Sequence, residues 1–257
     1  MHNQWPHPVD SISLNIPDIK VDLLHYQIPN PTQPHQPLFI NLHDNEKTSV
    51  YAALNCIQQQ NSGRLFEISH EKNRLISVLI DNQPCRFDPN RIFTDIGIEN
   101  TLKDQKCFSK KNQFILSQYA QSIIHQIYTH SFPLLIALHN NEDNLESESK
   151  ENYSILSYFP NGDESANTED LYQNPAHCPD DFFITTKKPL FDYLRLKKFN
   201  TVLHKNQGVN DGSLSYYCST QNIPYINVEA QHGHQQQQQH MIHTLFTYLK
   251  TAGYLFN

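Results

Sequence analysis

Two short apolar runs, Leu38-Phe39-Ile40-Asn41-Leu42 and Pro133-Leu134-Leu135-Ile136-Ala137-Leu138, each lead straight into a histidine, His43 and His139. Runs of this length bounded by turn residues read as buried strands. Helical periodicity lies beside both. Residues 47–60 place Val50, Ala53, Leu54 and Ile57 on one face and close with the stop signal Asn61-Ser62-Gly63. Residues 112–130 repeat the pattern with Phe114, Ile115, Tyr119, Ile123, Ile124 and Ile127.

The same alternation continues along the chain. Residues 20–28 predict an edge strand, and 64–69, 75–80, 182–185, 200–203 and 225–229 predict further strands. Residues 189–198, 213–221 and 235–254 predict helices, the last opening on the five-glutamine run Gln235–Gln239. A loop holding Pro84 and Pro89 separates two of the units, and residues 140–180 carry the weakest pattern, with an acidic, Asn/Ser-rich start. The first 19 residues predict a peripheral segment. Together these elements predict an α/β fold over residues 1–257: one domain with a mixed, mostly parallel twisted sheet and helices on both faces. Ligands of such sheets gather at the carboxyl ends of strands. His43, His139 and Glu229 all fall there.

The 257 residues carry a formal net charge of -7 and no basic block, so no nucleic-acid partner is expected. No apolar stretch reaches the roughly 18–20 residues that cross a bilayer, and no membrane partner is expected. The first residues lack the charged and apolar regions of a signal peptide, which makes the cytoplasm the default, or the periplasm or exterior if an upstream leader was removed. The five cysteines, Cys56, Cys85, Cys107, Cys178 and Cys218, are scattered without metal spacing or a disulfide framework, and read as ordinary thiols.

Chemistry concentrates in four places. His43-Asp44-Asn45-Glu46 puts an imidazole and a carboxylate three residues apart at a turn into a helix; His139-Asn140-Asn141-Glu142 repeats the spacing. His43, Glu46 and His139 together make three protein ligands, the number that leaves catalytic zinc one open position. Arg86-Phe87-Asp88-Pro89-Asn90-Arg91 offers guanidinium forks suited to a carboxylate, and Arg74 lies upstream as a second candidate cation. Glu229 ends an apolar strand, where a carboxylate needs a polar site, a metal or a cation beside it.

In order, His43-x-x-Glu46, Asp88-x-Asn90-Arg91, Leu138-His139 and Glu229 resemble the zinc carboxypeptidase superfamily, which spans carboxypeptidase A-like peptidases and the succinylglutamate desuccinylase/aspartoacylase branch. The resemblance implies Zn²⁺ on His43, Glu46 and His139, with Glu229 as general base for a zinc-bound water. It implies Asn90 and Arg91 as the clasp for a free substrate carboxylate. Arg74 takes the oxyanion position, with Arg86 as its rival and a further candidate for the substrate. The implied reaction is hydrolysis of an amide bond near a free carboxylate in a small peptide. N-acyl-amino-acid deacylation and a non-catalytic, metal-containing binding module are the alternatives. The chain shows no segment like the C-terminal β-domain usual in the deacylase branch, which favours a peptidase. It departs from the pattern at Asn140, where Ser or Thr is common. The closing tyrosine has three candidates, Tyr216, Tyr217 and Tyr225. The histidines of Gln231-His232-Gly233-His234 are expected behind the ligand set or in structural roles, and His240 and His243 on the surface of the last helix.

Overall fold

A computed structural model describes residues 10–14, 16, 19–28, 35–80, 83–142, 153–206 and 208–255. The strands are β1 (Asp10–Ser13), β2 (Asp22–Gln27), β3 (Leu38–Asn41), β4 (Arg64–Ser69), β5 (Ile76–Ile80), β6 (Gln83–Phe87), β7 (Leu135–Asn141), β8 (Thr168–Tyr172), β9 (Phe182–Thr185), β10 (Thr201–His204) and β11 (Tyr225–Gln231). The helices are α1 (Lys47–Gln60), α2 (Asp95–Asp104), α3 (Lys110–Tyr128), α4 (Lys188–Leu196), α5 (Leu214–Thr220) and α6 (Gln235–Thr251).

Nine strands form one sheet in the order β1-β2-β4-β3-β7-β11-β9-β10-β8. Its centre, β4-β3-β7-β11, is parallel, and antiparallel pairs join β2 to β4 and β9 to β11. This is the mixed α/β architecture that the sequence predicts. Alternation along the central strands builds a separate core on each face. Leu38, Ile40, Leu135, Ala137 and Tyr225 point into a core shared with α2, α3 and α5. Phe39, Ile136, Leu138, Ile226 and Val228 point into the other, shared with α1, α4 and α6. Full burial of one such side chain stabilises the fold by about 1.5–3 kcal/mol, so Phe39 alone, with no exposed surface, anchors its strand firmly. α1 ends where the sequence predicts: Asn61 adopts the left-handed conformation at φ 49, and Gly63, at φ +128, lies where an added Cβ would come within 2.8 Å of Ile57.

Several elements differ from the sequence expectation. Of residues 75–80, Ile76–Ile80 do form a strand, β5, but it pairs only with β6 in a two-stranded ribbon apart from the main sheet. The Pro84 segment is therefore a strand and not a loop, because a ribbon edge tolerates a residue with no N–H. α2 has no clear periodicity in the sequence, since Gly97 and polar residues break its pattern; Thr94 caps it, its hydroxyl accepting from the Gly97 N–H at 3.1 Å. Part of the N-terminal segment is the edge strand β1, while residues 1–9 lie outside the described set. The weakly patterned region holds β8, and residues 143–152 of its acidic start lie outside the described set. Cys85 and Cys107 form a disulfide, which corrects the reading of all five cysteines as ordinary thiols. It links β6 to the residues that follow α2. Among the described residues, no helix is long and apolar enough to cross a membrane.

Candidate metal centre

The turn after β3 is built by its own backbone: the Glu46 N–H donates to the His43 carbonyl at 3.0 Å. That brings both side chains to one side, with His43 Nδ1 2.8 Å from Glu46 Oε1. Asp44 points the other way and is buried. Its carboxylate accepts from Lys47 and from the backbone N–H groups of His70 and Lys72, at 2.7 and 2.9 Å for the last two. It thereby ties the ligand turn to the loop that carries Arg74.

His139 arrives from β7, with Nδ1 3.1 Å from Glu46 Oε2. The strand continues to Asn141, so the histidine sits within regular structure. Its backbone is clamped from α6: Gln238 Nε2 donates to the His139 carbonyl at 3.0 Å and to the Val228 carbonyl at 3.3 Å. Asn140 is a crosspiece. Its oxygen accepts from the Ser49 N–H at 2.9 Å, and its amide donates to Ala230 and Gln238 at 3.1 and 3.0 Å.

His43, Glu46 and His139 are all buried, and ligand atoms of the three lie within 4.8 Å of one another. His43 Nδ1 makes no hydrogen bond of normal geometry despite its nearness to Glu46, and His139 Nε2 is buried without a partner. Two imidazoles around a buried carboxylate, with a ring nitrogen left unsatisfied, fit a divalent cation of the zinc type. Electrostatics point the same way. Burial opposes charge on His43, but Glu46 and Asp88 outweigh it and raise the imidazole to about 9. Burial likewise opposes charge on Glu46, yet His43 and His139 hold it well below the usual carboxylate range. The site favours positive charge between these groups.

Glu229 lies on β11 directly across from His139 in the parallel register. It is buried, its Oε1 accepts from Asn227 Nδ2 at 2.9 Å, and burial pushes its carboxyl above the ordinary value, with Glu46 adding to the effect against His139, Asn227 and Arg74. Arg74 spans Glu46 Oε1 at 3.0 Å and Asp88 Oδ2 at 3.3 Å. The turn that follows holds Asn90, whose N–H donates to Asp88 Oδ1 at 2.7 Å and whose Oδ1 accepts from the Leu214 N–H at 3.0 Å. Arg91 leans on Asp211, 3.4 Å away. Its loop packs where Gly97 and Gly212 meet so closely that a Cβ on Gly97 would fall 2.3 Å from the Gly212 backbone.

A cavity of about 640 Å³ opens over these groups, and Glu229, Arg74, Asn90 and Arg91 all line it beside the three candidate ligands. Arg86 does not. In β6 it alternates outward while Cys85 and Phe87 face the core, so it is exposed and away from the cavity. Of the three tyrosine candidates, Tyr225 lines the cavity, and Tyr216 and Tyr217 do not. Sequence reading missed Tyr153 and Tyr158, whose hydroxyls hydrogen-bond to each other on the cavity wall. They stand in the weakly patterned region, where no periodicity marks them. His232 lines the cavity, whereas His234 pairs with Asp181. His240 is exposed and His243 half-buried.

No protein-family model matches the sequence, and no curated protein matches it. Solved structures do. Thrombin activatable fibrinolysis inhibitor is similar over 95% of this chain and 70% of its own, at 9% identity and a TM-score of 0.48. Murein-tripeptide amidase from Escherichia coli O157 is similar over 94% and 92%, at 9% identity and 0.43. Succinylglutamate desuccinalase from Vibrio parahaemolyticus is similar over 93% and 76%, at 13% identity and 0.40. Likeness at this level leaves the chemistry to be read from the centre itself. The structural neighbours of this chain are members of the zinc carboxypeptidase superfamily.

Proposed function

We propose that the protein is a zinc-dependent metallopeptidase of the carboxypeptidase-like kind, hydrolysing an amide bond near a free carboxylate in a small peptide. The observation that carries this reading is the convergence of His43, Glu46 and His139 beneath a cavity, with Glu229 paired across the sheet from His139. His43, Glu46 and His139 would hold the ion, which when bound lowers the pKa of water and polarises a carbonyl.

The chain's own groups supply the rest. Glu229, whose burial raises its proton affinity, takes the proton from the attacking water and delivers it to the leaving amine, which a carboxylate of ordinary pKa does less well near neutrality. Arg74, held at the ligand rim by Glu46 and Asp88, turns its remaining donors to the developing oxyanion. Arg91 exchanges Asp211 for the substrate carboxylate, a planar fork meeting a planar acceptor, and Asn90 completes the clasp with its amide, its oxygen being engaged by Leu214.

The test is release of amino groups from a panel of short peptides and N-acyl-amino acids, wild type against Glu229→Gln. Peptide turnover that falls by about 10²–10⁴ in the variant, with zinc content unchanged, supports the proposal. Turnover confined to acyl-amino acids favours the deacylase alternative. Equal inertness of both proteins across the panel sinks the enzymatic reading and leaves the binding module.

A further inference from the structure

A second group of metal-ligating side chains lies outside the cavity just described. Cys178, Asp181 and His234 offer ligand atoms that fall within 4.8 Å of one another. We propose that Cys178, Asp181 and His234 form a second site for a divalent ion of the zinc type, independent of the His43, Glu46 and His139 centre.

The fold explains why these residues meet. The Asp181 N–H donates to the Cys178 carbonyl at 3.2 Å, a one-turn spacing that sets thiol and carboxylate side by side. β9 and β11 are antiparallel, with Phe182 opposite Glu229. The residues just outside that pair therefore share an edge, and the Gln231 N–H donates to Asp181 Oδ1 at 3.0 Å. Gly233, at φ +85, then turns the chain into α6. This brings His234 Nδ1 to 3.2 and 3.1 Å from the two Asp181 oxygens.

The donor set is one sulfur, one oxygen and one nitrogen. Magnesium and calcium take oxygen ligands, whereas a mixed thiolate, carboxylate and imidazole set suits zinc. A hydrogen bond between Asp181 and His234 would account for the carboxylate and the ring. The thiol makes only weak donor contacts, 3.7 Å to Asp180 Oδ2 and 3.9 Å to Gln231 Oε1, and these leave the sulfur's own lone pairs open to an ion. Asp181 is 5% exposed, and a carboxylate so buried gains most from a full positive charge beside it. An open cavity of about 760 Å³, lined also by His177, leaves room for a fourth ligand. An ion here would pin the 178–181 turn to the start of α6, the helix whose Gln238 clamps His139.

Cobalt(II) titration of the whole chain tests this, because only this site has sulfur among its ligands. Wild type is expected to bind two ions, one with a thiolate-to-cobalt charge-transfer band. Cys178→Ser loses the band and one ion; His139→Ala loses the other ion and keeps the band. His234→Ala, with the thiol intact, weakens the sulfur-bound ion roughly tenfold or more. An arm without mutation uses iodoacetamide on the native protein, where Cys56 and Cys218 are buried and Cys178 is not: cobalt should protect Cys178, and prior alkylation should abolish the band. A wild type without a sulfur band, a band that survives in Cys178→Ser, or alkylation of Cys178 at the same rate with and without cobalt overturns the proposal.

Discussion

Asp88 Oδ1 lies 2.8 Å from Nε2 of His43, the ring nitrogen turned away from Glu46. A carboxylate there claims the Nε2 proton and leaves Nδ1 as the lone-pair donor facing Glu46, the orientation a metal ligand needs. The second oxygen of Asp88 holds Arg74 at 3.3 Å, so one side chain sets both a proposed ligand and the proposed oxyanion donor. Asp88→Ala is expected to lower zinc affinity by about 10–100-fold without loss of the fold. Competition against a fluorescent chelator, alongside far-UV circular dichroism, measures both.

Asp44 works through stability. Burial opposes its charge, but Lys47 and the N–H groups of His70 and Lys72 prevail and hold it below the usual carboxylate range. A depressed folded pKa stabilises the protein above the unfolded value of about 3.9, and that contribution is lost as pH falls from there through the lower folded pKa. Asp44→Asn should cost about 1–3 kcal/mol at neutral pH, and the gap to wild type should close below about pH 4. Urea unfolding at a series of pH values reads the difference; a gap independent of pH contradicts the assignment.

Gln238 is fully buried within a run of five glutamines, while Gln236 beside it is exposed. Gln238→Leu removes the donor shared by the carbonyls of His139 and Val228 and should destabilise by about 1–3 kcal/mol, with weaker zinc binding. Gln236→Ala should stay within about 0.5 kcal/mol of wild type. Equal melting temperatures for the two variants would mean that the clamp has no energetic role.

Cys85 and Cys107 close a loop across 22 residues of sequence. Closure on this scale stabilises by about 3 kcal/mol, so reduction should lower the melting temperature by roughly 6–12 °C. Thiol titration of the denatured, unreduced protein should count three free cysteines, Cys56, Cys178 and Cys218. Five would contradict the bond. Disulfides persist in oxidising compartments and are reduced in the cytoplasm, so trapping the thiol state in cells also separates the two expectations of location.

What the sequence revealed and concealed follows one physical line. His43, His139 and Glu229 were legible because apolar runs lead to them, and a parallel sheet carries such strand ends to one side. Glu46 followed from its spacing to His43. Residue placement that depends on which way a ribbon faces was not legible: Arg86 points outward because β6 belongs to a separate hairpin. Asp88 lies in the Asp88-x-Asn90-Arg91 stretch, but only tertiary structure brings it 45 residues back to His43. Tyr153 and Tyr158 come from a segment without periodicity, and Gln238 looks like its neighbours until burial distinguishes it.

The most direct measurement is anomalous diffraction at the zinc edge from crystals grown with zinc. A peak at roughly 2.0–2.2 Å from a ring nitrogen of His43, a carboxylate oxygen of Glu46 and a ring nitrogen of His139, whether or not a second peak stands beside Cys178, is the expected result. Zinc that binds the protein yet leaves this spot without a peak, or a peak there held by other side chains, would contradict it.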